Sequence, residues 1–247
     1  MRNAILITGA AKRIGAALAQ HFASRGADLV LHYHQSEAAV QQLAATLRAE
    51  YPDQHVHVVC ADLADPSALS DFWHGMPPVA HVIHNASRYR RDRLDAMTAA
   101  DLRAHLAVNL ESPLLLSQGF MAQLPVGTQG SITVIGDQAM RWSISPEFFS
   151  YAVSKLAWVS LIDLLAASVA PRARANLVAL APTLPGTQDP DGLFERLAER
   201  APLQRTGTVA EVIAAVTYVL ENPAVTGQVL GLGNGMGLAT WRDRTIV

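Results

Sequence analysis

Cysteine is almost missing from this chain: Cys60 stands alone among 247 residues, so an internal disulfide framework is excluded and a reducing compartment is expected. Because it ends the apolar run Val56 to Val59, Cys60 reads as a buried structural thiol and not as a nucleophile. Charge is also sparse. Only 16% of residues are Asp, Glu, Lys or Arg and the formal net charge is −2, which leaves no electrostatic footprint for nucleic acid. No uninterrupted apolar run is long enough to span a bilayer, and the N-terminus passes directly into a strand-like run without the basic, apolar and cleavage regions of a secretory signal. A cytoplasmic protein without a membrane partner is the expectation. Repeats, low-complexity tracts and interdomain linkers are absent, so a single domain over 1–247 is expected.

What is abundant is apolar. Half of the residues are hydrophobic and the mean hydropathy is +0.18, enough for a large core and for apolar surface covered by other subunits. Short β-branched runs near 4–7, 28–33, 55–60, 79–84, 130–135, 174–180 and 228–231 alternate with longer helical patterns. That alternation predicts an α/β fold, a doubly wound (Rossmann) and mostly parallel seven-stranded sheet with helices on both faces. Two helical patterns, 98–124 and 151–170, are apolar around most of their circumference. In the second, Leu156, Trp158, Val159, Leu161, Ile162, Leu164 and Leu165 cannot all face one sheet. A helix pair packed against a symmetry mate is expected, hence a homo-oligomer, either tetramer or dimer. The segment 183–207 is rich in Pro, Gly and Asp, with a short helix near 193–198, and reads as a substrate loop.

The turn Thr8-Gly9-Ala10-Ala11-Lys12-Arg13-Ile14-Gly15 follows the strand-like run and opens a helical pattern. Gly9 allows a sharp reversal and close approach to a ligand, and the first amides of the next helix are a seat for a pyrophosphate. Position 13, where dinucleotide folds of this spacing usually place glycine, holds arginine. Its guanidinium brings a permanent charge and five donors beside the cofactor phosphates.

Further along, Lys155 stands one helical turn after Tyr151, on the same face. An ammonium there is expected to lower the phenol's pKa and so make a usable acid/base pair. The run Gly130 to Gly136 ends in Asp137, which a doubly wound sheet delivers to the crevice at its strand ends. On spacing alone, Asp137 fits equally a capping aspartate after a strand. After the second strand, His32-Tyr33-His34-Gln35-Ser36 offers hydroxyl, imidazole and amide donors, with Ser36 as a helix cap and no carboxylate before Glu37. That favours a ribose 2′-phosphate, hence NADPH over NADH. The pairs His32-x-His34 and His55-x-His57 have no third ligand at metal-like spacing, so no metal is expected.

Thr8-Gly9 with Gly15, Asp62-Leu63, Asn85-Ala86, Asn109, Tyr151-x-x-x-Lys155 and Pro182 together resemble the short-chain dehydrogenase/reductase family over almost the full length. Arg13 and Asp137, where most members carry glycine and serine, resemble its pteridine reductases and bacterial dihydromonapterin reductases. His84-Asn85-Ala86-Ser87 followed by Tyr89 points the same way. The resemblance implies cofactor contacts from Gly9, Lys12, Arg13, Ile14 and Gly15 in the first turn. It implies others from Ala61, Asp62 and Leu63, from Asn85, Ala86 and Ser87, and from Lys155, Pro182 and Leu184. Tyr151 would be the acid/base, Lys155 its electrostatic partner, Asp137 the orienter and Asn109 a member that holds water or backbone. Arg13, Ser87, Tyr89, Asp137 and Tyr151 would hold the substrate, a small-molecule pterin: 7,8-dihydromonapterin, with dihydrofolate as a secondary substrate. Two alternatives stay open at this point, a carbonyl or 3-oxoacyl reductase of the same fold and a non-catalytic NADP(H)-sensing protein. Trp241 and Arg242 near the C-terminus fit an ordinary packed tail or a reach into a neighbouring subunit.

Overall fold

The computed structural model describes residues 4–138, 146–185, 193–236 and 238. Trp241, Arg242 and 186–192 of the substrate-loop segment lie outside the described residues. Seven strands, β1 (Ile5–Ile7), β2 (Leu29–Tyr33), β3 (Val56–Cys60), β4 (His81–His84), β5 (Gly130–Asp137), β6 (Ala173–Leu180) and β7 (Val229–Leu232), form one sheet. Its order is β3-β2-β1-β4-β5-β6-β7 and every pairing is parallel. The expected doubly wound fold is therefore present, and wholly parallel where a mostly parallel sheet was anticipated. Strand order reverses between β1 and β4, which opens a crevice at their carboxyl ends.

The helices are α1 (Arg13–Ser24), α2 (Glu37–Glu50), α3 (Pro66–Asp71), α4 (Ala99–Leu106), α5 (Ser112–Gln123), α6 (Phe149–Val169), α7 (Leu193–Arg200) and α8 (Val209–Glu221). Successive strand residues are claimed by opposite layers. Ile5, Ile7, Leu29 and Leu31 pack with Leu18, Phe22, Val212 and Val216, whereas Leu6, Val30, Val82 and Ile132 pack with Leu116, Phe120, Trp158 and Ile162. Burial on both faces explains why these strands lack a polar alternation. Each such side chain contributes about 1.5–3 kcal/mol by leaving water.

The apolar pattern over 98–124 is one helical rod with a fault in it. Thr98 and Asp101 form a capping box that starts α4, and a π-helical turn, Ala107–Glu111, joins α4 to α5. Pro113 lies four residues after Asn109 and has no N–H to donate to the Asn109 carbonyl. That carbonyl instead accepts a hydrogen bond from the Trp158 indole at 2.8 Å. The fault thereby places Asn109, fully buried, where α4 meets α6.

By length and mean hydropathy α6 reaches what a membrane span requires, although Lys155 and Asp163 interrupt its apolar run. In this fold it is the crossover between β5 and β6, with Trp158 and Ile162 completely buried against the sheet. Cys60 also departs from expectation. It is exposed, because β3 is the sheet's edge strand and Cys60 is its last residue.

Candidate active site

The glycine turn is fixed from three sides. Thr8 Oγ1 accepts the N–H groups of Asn85 and Ala86, each at 3.0 Å, and Asn85 Nδ2 donates to the Thr8 and Gly9 carbonyls at 2.9 and 3.1 Å. A Cβ on Gly9, whose φ is +64°, would lie 3.0 Å from Ala86 Cα, and one on Gly15 would run into the Gly9 carbonyl. The third support is His32. Its Nδ1 accepts from the Gly9 N–H at 3.1 Å, which requires the proton on Nε2, and Nε2 donates to the Ala61 carbonyl at 3.1 Å. One buried imidazole thus ties the ends of β1, β2 and β3 together.

That placement corrects the expected 2′-phosphate contact from His32. The ring is 2% exposed with both nitrogens engaged, and burial lowers its pKa to about 4, so it is a neutral strut. Tyr33 is likewise buried in the core. His34 and Gln35 are exposed and Ser36 is partly so. His34 Nε2 lies 3.7 Å from Asp62 Oδ2. Ser36 precedes α2 but its hydroxyl makes no capping bond, a second correction, and the first amides of α2 have no side-chain partner there. Leu63 is turned into the core, and Asp62 accepts the Ala64 N–H.

Lys12 precedes α1 and also gives no side-chain cap, so the helix's first amides are left for an external anion. Together with the shape at Gly9 and Gly15, this fits a dinucleotide pyrophosphate. Arg13, the first residue of α1, has a φ of +55°. Its guanidinium spans the crevice to the carbonyls of Pro185 and Leu184, at 3.0 and 3.4 Å. Pro182 accepts the Gly207 N–H at 2.9 Å, which closes the base of the 183–207 segment.

Across the crevice, Tyr151 Oη donates to Asp137 Oδ2 at 3.0 Å. Lys155, buried, donates to the Ile135 carbonyl at 3.0 Å. Burial, and then the Asp137 charge, push the Tyr151 pKa well above its ordinary value. This overturns the expectation that Lys155 lowers it. Lys155 itself is lowered to about 8 by burial, against which the Asp137 carboxylate works only partly. Asn109 meets neither group directly. Its amide donates to the Arg88 carbonyl and Ser154 Oγ, both at 2.9 Å, and accepts from the Arg88 N–H at 2.7 Å and the Ser87 hydroxyl at 3.3 Å. It is a clamp on the loop following β4, a backbone-holding role.

Tyr89 extends the site outward. Its ring meets Tyr151 edge-on with centroids 4.7 Å apart and stacks on Phe148 at 4.4 Å with 12° between planes. Phe148 was not anticipated. It stands three residues before Tyr151, a helical spacing that could have marked it, and it already covers one face of Tyr89. A cavity of about 510 Å³ lined by Gln138, Leu203, Arg205 and Asn234 includes neither Asp137 nor Tyr151.

Residues 9–237 match the family model described as enoyl-(acyl carrier protein) reductase. The chain belongs to this family of short-chain dehydrogenase/reductases and is an oxidoreductase. It is similar to the FolM alternative dihydrofolate reductase 1 of Brucella suis, solved in complex with NADP, at 32% identity and a TM-score of 0.85, covering 96% of this chain and 95% of that one. The dihydromonapterin reductase of Shigella boydii is 27% identical over 95% of this chain and 96% of its own. The galactitol 2-dehydrogenase of Cereibacter sphaeroides is 30% identical over 93% and 92%.

Proposed function

We propose that this protein reduces a dihydropterin at the expense of NADPH, with 7,8-dihydromonapterin as substrate and dihydrofolate as a second one. The observation that carries the reading is the Tyr151–Asp137 hydrogen bond at 3.0 Å. A ketone reductase needs a neutral donor at position 137 to hold the carbonyl oxygen, and a carboxylate there would oppose the developing alkoxide. A ring nitrogen that must gain a proton is suited to a phenol held in its protonated form. Relatives named for dihydromonapterin and dihydrofolate reduction support the same substrate class.

NADPH, held at the glycine turn and the start of α1, would supply a hydride for the carbon of the pterin C=N bond. Tyr151 Oη gives its proton to the adjacent nitrogen, so hydride and proton together saturate the bond. The phenolate left behind would face the Asp137 carboxylate, whose charge the buried Lys155 feels in turn. Arg13 would bind the oxo and amino edge of the pterin with Ser87, and Tyr89 would supply an aromatic wall. His34, Gln35 and Ser36, with the uncapped start of α2, would receive the 2′-phosphate. Subunit assembly through α5 and α6, whose Leu115, Val153 and Leu164 are exposed, belongs to the same reading.

The test is an anaerobic assay of NADPH absorbance with dihydromonapterin, dihydrobiopterin, dihydrofolate and a panel of ketones. Turnover of pterins and not of ketones is expected, and Asp137→Ser should reverse that preference. Preferential turnover of ketones by the unmodified enzyme would overturn the proposal. Tight NADPH binding without turnover of any substrate would favour a sensor.

A further inference from the structure

The geometry points to a subsite for an anionic substrate tail built on Arg91, with Arg90 beside it, which adds affinity for reduced pterins bearing carboxylate or phosphate beyond the ring and is not used by 7,8-dihydromonapterin. This rests on the pterin reading above. The loop following β4 runs Ser87-Arg88-Tyr89-Arg90-Arg91-Asp92-Arg93, with arginine at four of the six positions from 88 to 93. The four are not equivalent. Arg93 is neutralised, its Nη1 2.5 Å from Glu147 and its Nε 3.3 Å from Asp95. Arg88 is half-buried and its main chain is clamped by Asn109. Asp92, the other acid of the segment, is turned inward, with Oδ1 accepting the Ser150 N–H at 2.9 Å. Arg90 and Arg91 are exposed, and among the described residues neither lies within 4.0 Å of a carboxylate.

Arg91 is held in a definite place. Its guanidinium carbon lies 5.5 Å above the Phe148 ring, Phe148 stacks on Tyr89, and Tyr89 meets Tyr151 edge-on. Three consecutive contacts therefore lead outward from the proton donor along aromatic surface to a cation. Tyr89, 53% exposed, offers surface for a flat spacer before the charge is reached. A guanidinium laid on an aromatic face keeps its in-plane donors available, the arrangement suited to a two-pronged grip on carboxylate or phosphate. A short polyol tail carries no charge to meet it. The Phe148 contact accounts for Arg91 alone, whereas an anionic tail uses both cations.

Arg90→Ala/Arg91→Ala and Arg91→Lys are assayed with dihydrofolate, with a dihydropterin phosphorylated on its side chain, and with dihydromonapterin. Loss of two charge-assisted contacts is expected to raise KM for an anionic substrate about tenfold, with kcat and the KM for dihydromonapterin changed less than about twofold. The substrate showing the shift identifies the anion as carboxylate or phosphate. Arg91→Lys keeps the charge without the fork and should recover part of the loss, and added salt should raise the same KM only when the arginines are present. Equal KM changes for neutral and anionic substrates, or none for any, overturn the subsite while leaving pterin reduction standing. Failure of the unmodified enzyme to turn over all three pterins overturns both.

Discussion

The Tyr151 hydroxyl donates to Asp137 at 3.0 Å, and this contact makes a carboxylate, not the neighbouring ammonium, the charged group that governs the phenol. Burial, and then a nearby anion that disfavours a second one, keep the proton on Tyr151 well above the ordinary phenol range. Asp137→Asn retains the shape and removes the charge. The phenol's pKa should then fall, and the alkaline limb of kcat/KM that reports Tyr151 should move to lower pH. We expect kcat for dihydropterin to drop about 10- to 100-fold, the range of a displaced acid/base group. An unmoved limb would assign it to another group.

Arg13→Gly separates backbone from side chain. At a φ of +55°, replacing arginine by glycine relieves roughly 1 kcal/mol of left-handed strain, although the bonds to Pro185 and Leu184 are lost. Those bonds are exposed and contribute little, so the melting temperature should stay level or rise. KM for dihydropterin should nevertheless increase about tenfold, the effect of one lost charge-assisted contact. A lower melting temperature with unchanged KM would mean that Arg13 only braces the loop.

Much of this site was legible in the sequence because its signals are local. Seven β-branched runs announced the sheet, and the Gly9 turn announced the crevice at β1. Asp137 was legible as the end of β5, although spacing could not separate a cap from a relay. Side-chain direction at strand ends was not legible. His32 and Tyr33 sit in an unbroken buried strand, where no alternation tells which face a residue takes. Ser36 has the composition of a cap without the bond. The pairing of Trp158 with Asn109 joins elements far apart in the chain, so nothing local foretold it.

Acid should unfold this protein through its buried histidines. Burial lowers His32 and His81 to about 4 and His84 to about 3, all below the unfolded value of 6.5. The unfolded chain binds more protons in that interval, so stability is complete above pH 6.5 and is lost as pH falls toward the folded values. His32 alone would withdraw about 3 kcal/mol over this range. Urea midpoints measured from pH 7 to pH 4 should fall steeply in the native protein and less steeply in His32→Asn. Parallel slopes would mean that the ring is solvated or already paired when charged.

The break between α4 and α5 predicts a coupled pair of substitutions. Trp158→Phe keeps the packing but removes the donor to the Asn109 carbonyl, and an unsatisfied buried carbonyl costs about 1–3 kcal/mol. Pro113→Ala returns an N–H four residues after Asn109, allowing an ordinary α-helical bond to the same carbonyl and favouring a straight rod. Alone, Pro113→Ala should leave stability level or higher while lowering kcat, because Asn109 would be drawn from the Arg88 main chain that it holds on both sides. Combined, the two should be less destabilising than Trp158→Phe by itself, since the restored N–H supplies the donor that the indole gave up. A double-mutant cycle in urea measures this coupling directly. Strict additivity would show that Trp158 and Pro113 do not compete for the Asn109 carbonyl, and the π-helical turn would then need another cause.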